Sequence, residues 1–449
     1  MKERFIEISP DADEKQEERF NIWRSGEGIP FVDNDTKAAY QERVTLIKDA
    51  IQLKKKPSRI PVCPSPSCFP IQNSKITMYE AMYNYEALTK VIEEYQDEFM
   101  TDVYNGPASL VSGKMLDILD FKLFAWAGHG VAKEQEYQFV EDEYMKAEEY
   151  QDLIDDPTAF FQNSYFPRIF GALTGLQKYP VLPIVHEILC VPPAVIPFSD
   201  EDMKSALQAL MKAGDEALRF RTAVGKLSRN IMGKKGIPAF GGGFTKAPFD
   251  TIGDSLRGTK GVMLDIFRCP DELKEACERL TPIMVKAGVN ACRASGHLMP
   301  LIPLHKGADG FLSDEQFQTF YWPTLRKLII GLINEGMVPH LFAEGSYNQR
   351  LDIISDLPKG KALWLFDRTD MVKAKETVGR VACISGNFPI DLLITGTPDE
   401  VRAHCKQLIE SVGKNGGYIF ATGAGMSGAK AANVKAMIEA AKEYGASNT

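Results

Sequence analysis

The sequence lacks any apolar run of the ~18 residues that a membrane-spanning helix requires. It also lacks an excess of basic residues, because its 52 Lys and Arg are outnumbered by 60 Asp and Glu, for a net charge of −8. Nucleic-acid-binding proteins present basic surfaces, so this balance argues against such a partner. The charged segment Met1–Phe5 has no apolar stretch of the kind found in secretory signal peptides. We therefore expect a cytoplasmic protein without a membrane partner.

The eight cysteines are too dispersed over 449 residues to form a disulfide framework. The closest pair, Cys63 and Cys68, lies in a Pro- and Ser-rich segment, and no second pair follows at zinc-module spacing. We interpret both as reduced thiols near the end of a strand. Several nucleotide and hydrolase motifs are also absent. No Gly-Lys-Ser/Thr sequence follows the glycines at 241–243, and neither a dinucleotide fingerprint nor a nucleophile elbow occurs.

What the sequence does contain is a series of short apolar segments in its last third, each carrying polar residues at its ends. These segments are 337–344, 362–367, 381–387 and 418–423. Continuous apolar runs of this length, bounded by Gly or charged residues, are typical of strands buried on both faces of a parallel sheet. Helix-like stretches separate them, which is the alternation of a (β/α)8 barrel. We therefore predict an α/β protein with a (β/α)8 TIM barrel.

The rest of the chain is assigned to this barrel and to two additions. Residues 1–56 are charged and helix-prone and are predicted to form an N-terminal helical extension. Residues 57–449 are predicted to form the barrel, within which 106–235 exceed what one β/α unit needs. This central insertion would serve as a lid or an oligomer contact, with a homodimer as the candidate assembly. The first four strands are predicted at Arg59–Pro64, Phe99–Asn105, Ile237–Gly241 and His297–Leu304.

Polar residues at the ends of the predicted strands are the candidate site residues, because the carboxyl ends of barrel strands carry the active site. Imidazole and carboxylate groups suit acid-base chemistry or metal binding. Each also has a structural alternative, such as a hydrogen bond to a loop, an ion pair or a helix cap. The candidate catalytic residues are His340, Glu344, His305 and Asp367. The candidate substrate-binding residues are Asn387, Asp102, Tyr104, Lys246 and Trp322.

Several ordered motifs carry a family resemblance. They are Leu312–Phe317, Tyr321–Pro323, Gly386–Pro389, Thr395–Val401, Gly416–Phe420 and Asn433–Met437. In this order they resemble the C-terminal half of the uroporphyrinogen decarboxylase superfamily, whose fold is a TIM barrel. The resemblance covers about residues 40–447, is strong from 297 onward and is weak between 106 and 235.

The superfamily holds two chemistries. Uroporphyrinogen decarboxylases have an Arg-Gln-Ala-Gly-Arg signature after the first strand, whereas the corresponding segment here, Pro64–Pro70, contains no Arg. A substrate with up to eight carboxylates needs cationic clamps, so this departure argues against that substrate. The other branch transfers methyl groups to or from a corrinoid protein, and some members bind zinc through His-x-Cys and a later Cys. This chain resembles them at His340 but has Phe342 and Ala424 at the two cysteine positions.

The resemblance implies a corrinoid-dependent methyltransferase that acts on a small methylated substrate, for which a methoxylated aromatic ring is one candidate. A corrinoid protein would be the partner and would carry the corrinoid. His340, Glu344 and His305 are the candidate metal ligands, with zinc as the candidate metal that would help the leaving oxygen depart. Two alternatives stay open. One is a decarboxylase of a tetrapyrrole or a smaller acid, and the other is a non-catalytic corrinoid or tetrapyrrole binder.

Overall fold

The structure is a computed structural model that describes residues 7–107, 110–180, 182 and 185–447. A parallel sheet of six strands has the order β4-β5-β6-β7-β8-β9, and a second, small sheet has the order β2-β1-β3. The strands are β1 (Phe124–Ala127), β2 (Gly130–Val131), β3 (Gln138–Phe139), β4 (Gly243–Phe244), β5 (Pro300–Leu304), β6 (His340–Ala343), β7 (Leu363–Phe366), β8 (Cys383–Gly386) and β9 (Tyr418–Ile419).

Two further extended segments close the six-stranded sheet into a barrel. Residues 61–63 lie against the end of β9, where Val62 pairs in parallel with Phe420. The amide of Asp102 then donates to the carbonyl oxygen of Val62 at 3.0 Å. Tyr104 in turn pairs in parallel with Ala239, just before β4. Eight extended segments therefore follow one another around the ring, and the predicted (β/α)8 TIM barrel is confirmed.

The third predicted strand, Ile237–Gly241, extends further than expected. Ala239 pairs with the second segment, but the pairing with β5 is made by Gly243 and Phe244. Gly241 lies between the two pairings with a φ of +83°. A residue with a side chain rarely adopts this conformation, so glycine allows the chain to turn from one neighbour to the next.

Helices surround the barrel and make up most of both additions. No helix among the described residues is long and apolar enough to cross a membrane. The α-helices are α1 (Ala12–Ser25), α2 (Asn34–Gln52), α3 (Phe69–Gln72), α4 (Met78–Tyr83), α5 (Tyr85–Glu98), α6 (Gly113–Leu119), α7 (Tyr150–Asp155), α8 (Pro157–Ala159), α9 (Phe166–Ile169), α10 (Val191–Val195), α11 (Glu201–Lys235), α12 (Pro248–Asp250), α13 (Gly258–Arg268), α14 (Pro270–Ser295), α15 (Asp314–Gln316), α16 (Trp322–Asn334), α17 (Leu351–Ile354), α18 (Met371–Glu376), α19 (Ile390–Thr395), α20 (Pro398–Val412) and α21 (Ala431–Ser447). Short π-helical turns are Phe160–Tyr165, Thr251–Leu256 and Phe317–Tyr321, and 3-10 turns are Ala147–Glu149, Gly171–Lys178, Ile188–Cys190, Ile196–Ser199 and Val378–Arg380.

The N-terminal helices lie at the amino-terminal ends of the barrel strands. From α1, the Gln16 side chain donates to the carbonyl oxygen of Met337 at 3.3 Å, just before β6. Arg19 donates to the carbonyl oxygen of Glu335 at 2.9 Å. The ring of Trp23 meets the ring of His297 edge to face at 4.7 Å. These helices therefore cover the end of the barrel opposite the expected site, and the boundary at residue 56 stays a prediction.

The insertion at 106–235 contains the small sheet and the 35-residue helix α11. It packs against the segment that follows β4. The amide of Met145 donates to the carbonyl oxygen of Leu256 at 2.8 Å. Nearby, the buried Arg257 forms a 2.6 Å ion pair with Asp265, which also accepts a 2.9 Å hydrogen bond from Tyr150. The insertion therefore supports the chain that delivers several of the site residues described below.

Candidate functional site

Five consecutive barrel strands deliver polar side chains to the carboxyl-terminal rim of the barrel. Most of them directly follow their strand, and those after β4 lie within ten residues of its end, so the fold places all of them at one end. The residues, in order of strand, are Lys246, Asp250 and Asp254 after β4, His305 and Lys306 after β5, Glu344 after β6, Asp367 after β7, and Asn387 after β8.

His305 lies at the centre of this group. Its Nδ1 donates to Oδ2 of Asp254 at 2.5 Å, and its Nε2 is 3.4 Å from Oε1 of Glu344. Burial alone would lower the pKa of His305, but hydrogen bonds and charge from the two carboxylates outweigh it and raise the pKa to about 10. His305 is therefore an imidazolium at neutral pH. Its side chain is 33% exposed, and its Nε2 faces the more open Glu344, which is 43% exposed.

Asp254 joins His305 to two lysines. Its Oδ2 is 2.7 Å from Nζ of Lys246, and its Oδ1 is 3.0 Å from Nζ of Lys306. Burial would raise the pKa of Asp254, but the hydrogen bond from His305 and the charges of Lys246, His305 and Lys306 lower it well below its usual range. One buried carboxylate thus holds three cationic groups at the rim.

Asp250 fixes the loop that carries His305. It is fully buried, and its two oxygens accept hydrogen bonds from the amides of His305 (3.1 Å) and Lys306 (2.8 Å). The hydroxyl of Tyr321 donates to Oδ2 of Asp250 at 2.6 Å. Burial, followed by the charge of Asp254, raises the pKa of Asp250. Asp250 therefore orients the backbone from which the His305 side chain projects.

Asp367 and Asn387 extend the group along the rim. Oδ2 of Asp367 accepts a 3.0 Å hydrogen bond from the amide of Gly345, the residue after Glu344. Burial raises the pKa of Asp367, and the charges of Glu344 and Asp391 add to this shift. The Asn387 amide donates to the carbonyl oxygen of Thr369 at 2.7 Å. His305, Glu344 and Asp367 are thus connected through neighbouring contacts on one rim, as their positions after successive strands predict.

His340 is the predicted catalytic residue that the structure does not bring to this rim. It is the first residue of β6, whereas Glu344 follows the last, so the two lie roughly 13 Å apart along the strand. The imidazole is 8% exposed and meets the ring of Phe240 at 5.4 Å. Burial, with a smaller contribution from His297, lowers the pKa of His340 to about 4. His340 is therefore neutral and lies deep in the barrel.

The predicted metal ligands consequently do not converge. Only His305 and Glu344 of the three candidates are neighbours, because His340 lies at the other end of its strand. Among the described residues no group of three or more His, Cys, Asp or Glu side chains has the arrangement of a metal site. The residues present therefore do not fit the expected zinc ion.

Asp102 lies at the opposite rim from His305. Its carboxylate accepts two hydrogen bonds from the guanidinium of Arg59, at 2.6 and 2.7 Å, in a bidentate arrangement. It also accepts a hydrogen bond from the amide of Val62 at 2.8 Å. Nε of Arg43, on α2, is 3.7 Å away. Arg59 precedes the first extended segment, which places this ion pair at the amino-terminal ends of the strands. Asp102 therefore joins the N-terminal helices to the barrel and is not part of the rim group.

Tyr104 and Trp322 are packed into the protein interior. Tyr104 is 3% exposed and lies in a cluster with Leu116, Trp126 and Ile231, outside the barrel. Trp322 is 8% exposed at the start of α16 and stacks on Phe317 at 6.4 Å. Among the described residues, neither side chain has a hydrogen bond or ring contact with the rim group.

Asp250, Asp254 and Lys306 are site residues that the sequence reasoning missed. Asp250 and Asp254 are four residues apart, begin a few residues after Lys246 and follow a strand end. Paired carboxylates at this spacing lie on one face of a helical turn, which is a signal that could have identified them. Lys306 directly follows His305, and a lysine after a strand end has no sequence signal that separates it from a surface lysine.

The lowered pKa values of two buried histidines predict how the free energy of unfolding depends on pH. Burial lowers the pKa of both His297 and His340 to about 4, compared with 6.5 in an unfolded chain. Since the unfolded state then binds more protons, stability falls as the pH drops from about 6.5 towards 4. Each histidine is expected to contribute about 2 kcal/mol of this loss between pH 7 and 5. Denaturant unfolding at both pH values, for the wild type and His340→Leu, should show a smaller loss in the variant. Equal losses would contradict the burial of a neutral His340.

The chain resembles known proteins in sequence. A family model described as uroporphyrinogen decarboxylase matches residues 193–444, which is more than half of the 449-residue chain. A uroporphyrinogen decarboxylase from Cellvibrio japonicus is 24% identical over 209 residues, covering 46% of this chain and 57% of the relative. One from Methylococcus capsulatus is 27% identical over 209 residues, with 45% and 58% coverage. The chain thus matches little more than half the length of these curated relatives.

Among solved structures, a methyltransferase from Methanosarcina mazei shares the fold. The two superpose with a TM-score of 0.57 at 17% sequence identity, covering 89% of this chain and 98% of that protein. At this identity the likeness concerns the fold alone. It extends over the N-terminal half, where the family model does not reach.

Proposed function

The chain belongs to the uroporphyrinogen decarboxylase family, and on that premise we propose that it transfers a methyl group between a small methylated substrate and a corrinoid carried by a partner protein. The observation that carries this proposal is the position of His305 on the rim, with its two ring nitrogens beside Asp254 and Glu344. The fold shared with a methyltransferase supports it. So does the absence of Arg from Pro64–Pro70, where decarboxylases of this family have a cationic signature.

The chemistry needs an acid at the leaving atom. When the bond from the methyl carbon to oxygen or nitrogen breaks, the electron pair stays on that atom. Nε2 of His305 donates a proton there as the charge develops, which is general acid catalysis. Asp254 keeps Nδ1 engaged and so directs Nε2 towards the substrate. The partner's corrinoid, when bound, supplies the nucleophile that takes the methyl group.

The raised pKa of His305 favours an oxygen leaving group. An acid with a pKa of about 10 matches a phenol, whose pKa is also ~10, and it transfers its proton favourably to a more basic alkoxide. A histidine of ordinary pKa would be largely unprotonated at neutral pH and would leave the site without this acid. Methoxylated aromatic compounds are therefore the substrate class that we propose.

A decarboxylase remains the second candidate, because the curated relatives that match the chain are uroporphyrinogen decarboxylases. In that reading Lys246, Lys306 and His305 would bind substrate carboxylates. However, all three already contact Asp254, so the rim offers less uncompensated positive charge than a polycarboxylate substrate needs.

One assay separates these candidates. The purified protein is mixed with free cob(I)alamin as acceptor and with a panel of methoxylated aromatics, methanol and methylamines, and formation of methylcobalamin is followed by absorbance. Enzyme-dependent methylation with an aromatic methyl ether is the expected result. Decarboxylation of uroporphyrinogen with no methylation from any donor would replace the proposal with the second candidate. Tight corrinoid binding without either turnover would indicate a carrier.

A further inference from the structure

Below the rim, burial distinguishes the side chains of the barrel strands that face the surrounding helices from those that face the barrel interior. On β5 and β6 the fully buried residues are Ile302, Leu304, Leu341 and Ala343. Because side chains alternate along a strand, these four face the surrounding helices and the residues between them face the barrel interior. Leu301 pairs in register with His340, and Pro303 with Phe342, so these positions point inward together.

The inner face is filled unevenly. On β7 and β8 the inward positions Leu363, Cys383 and Ser385 are buried, whereas inward positions on β4 to β6 are more open. Leu301 and Phe342 are only half-buried, although they face the centre of the barrel. Just after β4, Thr245 donates to the carbonyl oxygen of Met284 on the outer helix α14. Its neighbour Phe244, the last residue of β4, therefore faces inward, where it is 55% exposed. TIM barrels normally fill this space with side chains. The exposure of Phe244, Leu301 and Phe342 therefore indicates an apolar space beside β4 to β6 that reaches from the rim down to the level of Leu301.

His340 lies at the floor of this space. It is at the same level as Leu301, and its ring meets that of Phe240. Among the described residues its imidazole makes no hydrogen bond or ion pair, and the residue is only 8% exposed. A neutral imidazole can both donate and accept, so the floor has an unused polar group aimed into an aromatic space.

We propose that this space, lined by Phe240, Phe244, Leu301, Phe342 and His340, binds the aromatic ring of the substrate, with a ring hydroxyl or similar substituent hydrogen-bonded to His340. The methyl-bearing oxygen then lies at the other end of the ring, beside His305. The inference rests on the proposed function for the methyl ether, and it assigns His340 as a residue that determines substrate specificity.

The dimensions fit one ring. His340 and Glu344 are roughly 13 Å apart along the strand, which corresponds to ~11 Å along the axis of a barrel whose strands tilt by ~36°. This backbone separation is on the scale of one six-membered ring with opposed oxygen substituents and a hydrogen bond of ~2.8 Å at each end. Phenylalanine rings on the wall suit stacking and edge contacts with that ring.

The first test uses the wild-type protein without turnover. Histidine side chains are labelled with 15N, and 4-methoxyphenol or anisole is titrated in. We expect the ring nitrogens of His340 to shift strongly with 4-methoxyphenol and weakly with anisole, which lacks the hydroxyl. His129, a histidine of the insertion, provides the internal reference. Signals of His340 that respond to neither compound would overturn the inference.

The second test uses variants and affinity. The wild type is expected to bind 4-methoxyphenol ~3- to 10-fold more tightly than anisole, the gain from one hydrogen bond. His340→Leu should remove this preference and keep the affinity for anisole, whereas His340→Gln should retain part of it. Phe342→Trp, which narrows the space, should weaken binding of both compounds. A preference that survives in His340→Leu would show that the hydroxyl binds elsewhere.

The two proposals can fail independently. Binding is measured without a corrinoid. If the protein shows the His340-dependent preference but never methylates cobalamin, the ring-binding inference stands and the proposed function is wrong. Conversely, if methyl transfer is equally efficient from anisole and 4-methoxyphenol, both in the wild type and in the His340 variants, that result supports the proposed function and overturns the ring-binding inference.

Discussion

Replacing His305 with glutamine is expected to lower the rate of methyl transfer from an aryl methyl ether by ~10²- to 10⁴-fold, the usual contribution of a general acid. Glutamine can still hydrogen-bond to Asp254 but cannot release a proton. The loss should appear in kcat as well as in kcat/KM, because the proton is needed only as the bond breaks. Methylcobalamin formation under saturating donor is the measurement.

The pH dependence of the methyl-transfer rate is a second test of His305 as the general acid. Asp254 and Glu344 raise the pKa of His305 to about 10, so the wild-type rate should fall as the pH rises through that value and the imidazolium is lost. The residual rate of His305→Gln should lack this descending limb. A variant that keeps wild-type kcat and the same limb would show that His305 is not the acid.

A matched control is available in the insertion. His129, between β1 and β2, also lies near a carboxylate, with its Nε2 3.3 Å from Oδ1 of Asp117. His129→Gln removes a histidine from a comparable pair outside the rim and should leave turnover unchanged. Equal losses in both variants would indicate a general effect on the fold.

Replacing Asp102 with alanine is expected to destabilise the protein by about 3–5 kcal/mol, the effect of removing one partner of a buried ion pair. Asp102 is 2% exposed and accepts three hydrogen bonds, two from Arg59 and one from the amide of Val62. Its loss leaves Arg59 and the nearby Arg43 without their shared carboxylate. Urea unfolding at pH 7 measures the change directly.

The comparison variant for Asp102 is Glu94→Ala on α5. Glu94 forms an exposed pair with Lys90, and such pairs contribute about 0–1 kcal/mol. The Asp102 variant, at temperatures where it stays folded, should retain turnover, because it lies at the rim opposite His305. If the Asp102 variant loses turnover while its free energy of unfolding is unchanged, Asp102 acts in the functional site.

The strands of the barrel were predictable because each is a continuous apolar run. The segments 362–367 and 381–387 contain β7 and β8, and even Arg59–Pro64 and Phe99–Asn105, which pair only briefly, are extended where the alternation places them. A strand buried on both faces needs apolar residues at every position, and this requirement is visible in the sequence. The family resemblance then supplied the closed order of the strands.

The candidate site was predictable only in part. His305, Glu344 and Asp367 follow their strands directly, so their shared rim follows from the fold class. His340 and Asp102 sit in equally apolar segments, and the sequence does not show at which residue strand pairing begins. Register decides this, since His340 pairs with Leu301 and Leu363 at the first step of β6.

The amino-acid sequence by itself determined the barrel, its helical additions and the polar character of the rim, because burial and hydrogen bonding act residue by residue along each strand. The tertiary structure alone decided which groups meet. Asp254 reaches His305 across 51 residues of chain, and His340 is placed against the ring of Phe240 at the start of β6. Such contacts depend on the order of strands around the ring and on the register between them, which no local pattern records.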